Sequence, residues 1–136
     1  MTETLFTQIA RHEGLRLTPY RCTAGKLTIG YGRNLDDRGI REEEARVMLQ
    51  NDISEVIAVL RSHLPWFAAA HNAVQWVLVN MGINLGTSGL LKFKRTLAYL
   101  EAEQYNSAAD EMLDSLWAKQ VPNRAKELSD MIRGLA

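Results

Sequence analysis

The sequence predicts an α+β fold, mainly helical, with a small α/β lobe and a short β-ribbon joined by a long helix to a helical lobe. Three observations predict it. The β-prone pieces are confined to residues 15–35 and are punctuated by Gly25, Gly30 and Gly32. Residues 40–63 carry one unbroken helical pattern. Beyond Pro65, apolar residues recur at helical spacing almost to the end of the chain. A length of 136 residues fits a single domain, 1–136. A chain of that size buries roughly 68% of its unfolded surface, enough for a core.

The elements follow in order. Residues 3–13 place Leu5, Phe6, Ile9 and Ala10 on one helical face, and Gly14 ends that helix. Glu13 therefore stands at a helix C-terminus, where the negative end of the dipole favours a protonated acid. Leu15–Tyr20 and Lys26–Tyr31 read as the two arms of the ribbon. In residues 40–63, Val47, Leu49, Ile53, Val56, Ile57 and Leu60 recur every three or four positions. The first turn of that helix holds Glu42, Glu43 and Glu44, as the dipole prefers. Pro65 starts a further helix, expected to run to about Val79 and to be the buried central one. Gly82, Gly86 and Gly89 read as turns. A helix over about Leu90–Ala102 follows, then one capped by Asn106 and running to Lys119. Pro122 fits the first turn of the last helix. Residues 14–40 thus form the ribbon lobe and 41–63 the connecting helix. Residues 64–136 form the helical lobe, with residues 1–13 packed on it.

Charge and composition narrow the function. Hydrophobic residues make up 46% of the chain, as in ordinary globular proteins, and the formal net charge is zero. A general nucleic-acid binder is not expected from that balance. The charge is uneven, though. Residues 11–41 hold seven Arg or Lys against three acids, and residues 42–63 hold five acids against two Arg. A polyanionic partner would be drawn to the basic stretch; a solvated surface of mixed sign is the plainer alternative. The single cysteine, Cys22, forbids an internal disulfide and is compatible with a cytoplasmic home. The N-terminus shows neither a basic n-region nor an apolar h-region, although a chain trimmed of its signal would look the same. No apolar run approaches the ~20 residues of a membrane span, so no stable membrane association is expected.

The chemistry concentrates in one run. Glu13, Cys22 and Thr28 are separated by eight and then five residues. A carboxyl at a helix end, followed by a thiol and a hydroxyl on a ribbon, can set an acid on one side of a groove and a water-handling pair on the other. Glycosidic cleavage needs that division of labour. A sugar oxygen leaves poorly unless protonated, and Glu13 is the candidate general acid. Cys22 has three candidate roles: stabilising the oxocarbenium charge, polarising the attacking water, or attacking carbon. Arg21 or Arg33 nearby would favour its thiolate. Thr28 is expected to hold the attacking water. Tyr31, Arg33 and Asn34 follow the ribbon glycines and are candidates to line the groove, with turn structure the equal alternative. His12, His63 and His71 lack metal-ligand spacing, so no metal or cofactor is expected. Trp66, Trp76 and Trp117 read as core, although one could stack on sugar.

The run resembles the phage-type lysozymes of glycoside hydrolase family 24, whose signature is a Glu, eight residues, an Asp or Cys, five residues and a Thr. Glu13, Cys22 and Thr28 match at both spacings, and Glu13-Gly14-Leu15, Pro19-Tyr20 and Thr28-Ile29-Gly30-Tyr31-Gly32 match around them. Trp117-Ala-Lys-Gln-Val-Pro-Asn-Arg-Ala-Lys126 is similar to the family's late W…P-N-R-A-K run. Asn80-Met-Gly-Ile-Asn-Leu-Gly86 before Phe93 resembles its central turn. Cys22 stands where many members have Asp. The resemblance implies a lysozyme-like architecture with a cleft between the lobes, and a muramidase acting on bacterial peptidoglycan. It further implies that Arg124 reaches Glu13 across that cleft and that Asn84 takes the place of a cleft-lining Gln. It also implies a protein that waits in the cytoplasm until a holin opens the inner membrane; a monomer is the default expectation. Two rivals stay open. A lytic transglycosylase also uses a Glu acid but needs no water-handling pair. A non-catalytic wall-binding module would have lost activity at Cys22.

Overall fold

A computed structural model describes residues 2–136. The fold is mainly helical with one small antiparallel sheet, the class the sequence predicts. The chain divides into two compact units, Met1–Met48 and Leu49–Ala136, with the boundary inside a long helix.

In the first unit, helix α1 (Leu5–Glu13) begins where the Thr4 hydroxyl accepts the Thr7 N–H at 3.1 Å. It stops at Gly14, whose φ of 73° no longer continues a helix and whose N–H bonds back to the Ala10 carbonyl. This helix, expected against the helical lobe, falls in the same compact unit as the ribbon. Its Phe6 ring makes a T-shaped contact with Tyr31, with ring centroids 6.1 Å apart. Strands β1 (Arg16–Arg21), β2 (Leu27–Gly30) and β3 (Arg33–Asn34) pair antiparallel in that order. The third strand is too short to leave a pattern in the sequence. Pro19 is tolerated because β1 is an edge strand, and the pairing with β2 slips between Arg16 and Tyr20. Helix α2 (Leu35–Arg38) is capped by Asn34, whose side-chain oxygen accepts the Asp37 N–H at 3.0 Å.

Helix α3 (Glu42–His63) has the expected length. Its start is fixed by Glu44, which reaches back to the Arg41 N–H at 2.8 Å. This is the second half of a capping box.

The second unit holds the buried core, with Leu60, Phe67, Val77, Leu78, Met81, Leu90, Met112 and Ile132 almost fully enclosed. Here several expected boundaries move. Pro65 does not start a helix: a turn and a short 3-10 segment (Phe67–Ala69) follow it. Helix α4 (Asn72–Leu85) begins later, where His71 Nδ1 accepts the Ala73 N–H at 3.0 Å. Gly82 is not a turn but a buried helical residue, and α4 runs past it to Gly86. Gly89 is helical too, in α5 (Thr87–Leu91). The helix expected over Leu90–Ala102 is interrupted at Phe93, and α6 spans Lys94–Glu101. Asn106 lies inside α7 (Tyr105–Leu113), not at its cap. The run to Lys119 breaks at Ser115, whose hydroxyl accepts the Ala118 N–H at 3.1 Å and starts α8 (Leu116–Gln120). Helix α9 (Pro122–Arg133) has Pro122 in its first turn, as expected. Helix α7 packs on α6 and α9, and α4 on α5 and α9.

Candidate active site

Glu13 is the last residue of α1, carried there by the helix that Gly14 terminates. Its carboxylate lies against Gly32, the glycine that leads into β3. A Cβ at position 32 would stand 2.7 Å from Glu13 Oε2 and 3.3 Å from its Cδ. Gly32 also has φ +84°, so both its backbone and its missing side chain suit this position.

Cys22 sits at the mouth of the β1–β2 hairpin, half-buried. The turn is closed by its own backbone: Cys22 N–H donates to the Lys26 carbonyl and Gly25 N–H to the Cys22 carbonyl. The thiol is held below its ordinary pKa, first by the backbone N–H of Lys26 and then by that of Ala24, with burial opposing. Arginines are not among these causes. Arg21 donates instead to the Gly25 carbonyl at 3.1 Å and stands 3.7 Å from Asp36, and Arg33 is engaged elsewhere. The expectation that Arg21 or Arg33 supports the thiolate is therefore corrected: turn amides do so.

Thr28 is the most enclosed ribbon residue, 3% exposed, and pairs with Tyr20 across the hairpin. Its hydroxyl donates to the Lys26 carbonyl at 2.8 Å and lies within reach of the Cys22 sulfur. With its one hydrogen committed, Thr28 meets a water only as an acceptor. The structure thus brings Cys22 and Thr28 together as a pair.

Tyr31 is exposed beside a depression of about 450 Å³ that Arg33, Arg38 and Ile40 also line. Arg33, expected to line a groove, has its guanidinium taken up within the fold. Two parallel bonds of 2.8 and 2.9 Å run to Glu44, and a third of 3.2 Å goes to the Gly39 carbonyl. The fork geometry suits a bidentate carboxylate. Glu44 is accordingly pushed down to about 2, by the Arg33 hydrogen bonds first and the Arg41 N–H second. Arg33 is thus a brace between the ribbon and the start of α3, while it also lines the depression beside Tyr31.

In the second unit, Trp117 Nε1–H donates to Asn84 Oδ1 at 2.8 Å. An indole nitrogen only donates, so the Asn84 oxygen faces Trp117 and its NH2 group points away. Trp117 is buried and edge-packed on Phe93, as a core residue should be. Trp76, also expected in the core, is 68% exposed. It borders an apolar groove of about 550 Å³ with Ile53, Val79 and Ile83. Arg124 lines the same groove and is held by Asn80, through Nε to Oδ1 at 2.8 Å and through Nη2 to the carbonyl oxygen at 3.4 Å. The sequence marks Gly32 as ribbon punctuation, Glu44 as part of an acidic first turn and Asn80 as the head of the central run, but not their contacts with Glu13, Arg33 and Arg124.

The chain matches the phage lysozyme family over residues 10–134, a span that holds every candidate site residue. It belongs to the phage lysozyme family. It is 33% identical over 121 residues to an endolysin of Acyrthosiphon pisum secondary endosymbiont phage 1, covering 85% of this chain and 77% of that protein. It is 27% identical over 152 residues to the pre-baseplate central spike protein Gp5 of Enterobacteria phage T4, which takes in 91% of this chain but 26% of that protein. Its likeness to probable T4-type lysozyme 1 of Dictyostelium discoideum is 25% over 162 residues, spanning 97% of this chain and 95% of the relative. As a phage lysozyme the chain is a glycoside hydrolase that degrades peptidoglycan.

Proposed function

We propose that the chain is a muramidase that hydrolyses the β-1,4 bond between N-acetylmuramic acid and N-acetylglucosamine. What carries the reading is the intact Glu13–Cys22–Thr28 spacing inside the family match. Glu13 gives its proton to the leaving glycosidic oxygen. Water adds to the anomeric carbon and loses a proton, leaving a reducing end. Cys22, with its pKa lowered by turn amides, supplies negative charge beside the developing oxocarbenium ion or takes the proton of the water. Thr28, its hydroxyl hydrogen given to the Lys26 carbonyl, offers its oxygen lone pair to a hydrogen of the attacking water. Displacement by water would invert the anomeric carbon; a covalent Cys22 intermediate would retain it.

Tyr31 offers an exposed ring for a sugar face, and Asn84 offers its outward NH2 group to an acetamido or hydroxyl oxygen. Arg124 is read as an anion-binding or orienting group. Glu13 and Arg124 lie in different units, and a double-mutant cycle between them measures their coupling. Release through a holin-opened membrane completes the reading, in keeping with the endolysin relative, and a monomer is the default state. Among the described residues no helix is long and apolar enough to cross a membrane.

The variant Glu13→Gln tests the central role. It keeps the shape and removes the acid. Release of dyed fragments from purified walls should fall about 10²–10⁴-fold, with the melting temperature unchanged. Wall release at the original rate would refute the assignment of Glu13.

A further inference from the structure

We propose that Gly32 is the positioning residue for the Glu13 carboxyl, its absent side chain forming the seat in which the acid rests. The inference builds on Glu13 being the acid. Five ribbon-lobe glycines, Gly14, Gly25, Gly30, Gly32 and Gly39, have positive φ, so backbone geometry alone explains each of them. Gly32 differs from the other four. A Cβ at Gly14, Gly25, Gly30 or Gly39 would meet nothing within 4 Å. At Gly32 it would meet Glu13 Oε2 at 2.7 Å, Cδ at 3.3 Å and Cγ at 3.7 Å, where ordinary contact begins at 3.4 Å.

The backbone at position 32 is clamped from both sides. Tyr31 packs its ring against Phe6 of α1, and Arg33 is tied to Glu44 by two parallel hydrogen bonds. An added methyl group would therefore displace the softer partner, the free end of the Glu13 side chain. The fold would survive that swing, because the glutamate tip is flexible. The acid would not, since proton transfer requires hydrogen-bond reach to one oxygen. Gly32 thus fixes where the proton is delivered without touching substrate.

The test compares Gly32→Ala with Gly30→Ala, which carries like backbone strain (φ +84° against +70°) and no contact. Soluble peptidoglycan fragments serve as substrate. In Gly32→Ala, kcat should fall about 10²-fold, as expected for misplacement by an ångström, with KM unchanged. Gly30→Ala should lower the melting temperature similarly and keep both constants. Original kcat in Gly32→Ala, or an equal loss in Gly30→Ala, would overturn the positioning role. Glu13→Gln is assayed beside them: if it remains active, the reading of Glu13 as the acid fails, and the seat with it. Should Gly32→Ala not fold, the unmodified protein decides by NMR. A nuclear Overhauser contact between Gly32 Hα and Glu13 Hγ is expected, and its absence would overturn the proposal.

Discussion

Cys22 stands where many family members have Asp, and its surroundings say how a thiol can work there. The backbone N–H groups of Lys26 and Ala24 favour the thiolate over the thiol. The sign follows directly. A lowered thiol pKa increases the negatively charged fraction near neutrality, and that fraction grows as pH rises through the shifted value. Activity that needs the thiolate should rise over the same range, and iodoacetamide should abolish it. Cys22→Asp should keep activity, whereas Cys22→Ala should lose it. Activity untouched by alkylation would remove Cys22 from the chemistry. At this scale the sequence was legible through spacing. Glu13, Cys22 and Thr28 announce themselves by fixed intervals along the chain. The brace formed by Arg33 and Glu44 joins residues eleven apart through a turn, and no local pattern encodes it. The same holds for Asn80 holding Arg124, forty-four residues away.

At the scale of elements, periodicity located the long helices and misplaced their junctions. Helix α3 and helix α9 were legible because an acidic first turn and a proline mark their starts. Gly82 misled because glycine usually punctuates. Here it serves close packing: a Cβ at Gly82 would lie 2.7 Å from Val56 Cγ1, so α3 and α4 approach through it. Gly82→Ala should therefore destabilise the fold by about 1–3 kcal/mol through overpacking, despite alanine's better helix propensity. Urea unfolding measures this, and a variant as stable as the parent would contradict the close-packing account. Ser115 was equally hidden, since its cap divides α7 from α8 without any glycine or proline. Trp76 was misplaced for a different reason. It lies on a helix that is apolar nearly all round, so periodicity could not say which side is covered.

At the scale of the whole molecule, the enclosed apolar core belongs to the second unit, and the first is held largely by turns, caps and ion pairs. Glu44 is central to that polar framework, with a carboxyl depressed from 4.5 to about 2. A depressed carboxylate contributes stability above its unfolded pKa and loses it as pH falls through the folded one. The contribution of Glu44 should thus be intact above about pH 4.5 and fade towards pH 2. Amide exchange should show the ribbon and the start of α3 losing protection in that window, ahead of α4 and α9. Glu44→Gln should flatten the pH response of the ribbon. Equal acid sensitivity in both units would contradict this division of stabilising forces.

The most direct test of the central claim is the mass of the products. Peptidoglycan digested by the protein, beside a Glu13→Gln control, is analysed by mass spectrometry. Reducing muropeptides, each carrying one added water, are expected from the unmodified protein and should disappear with the variant. Anhydro-muropeptides, or reducing products that persist in Glu13→Gln, would contradict it.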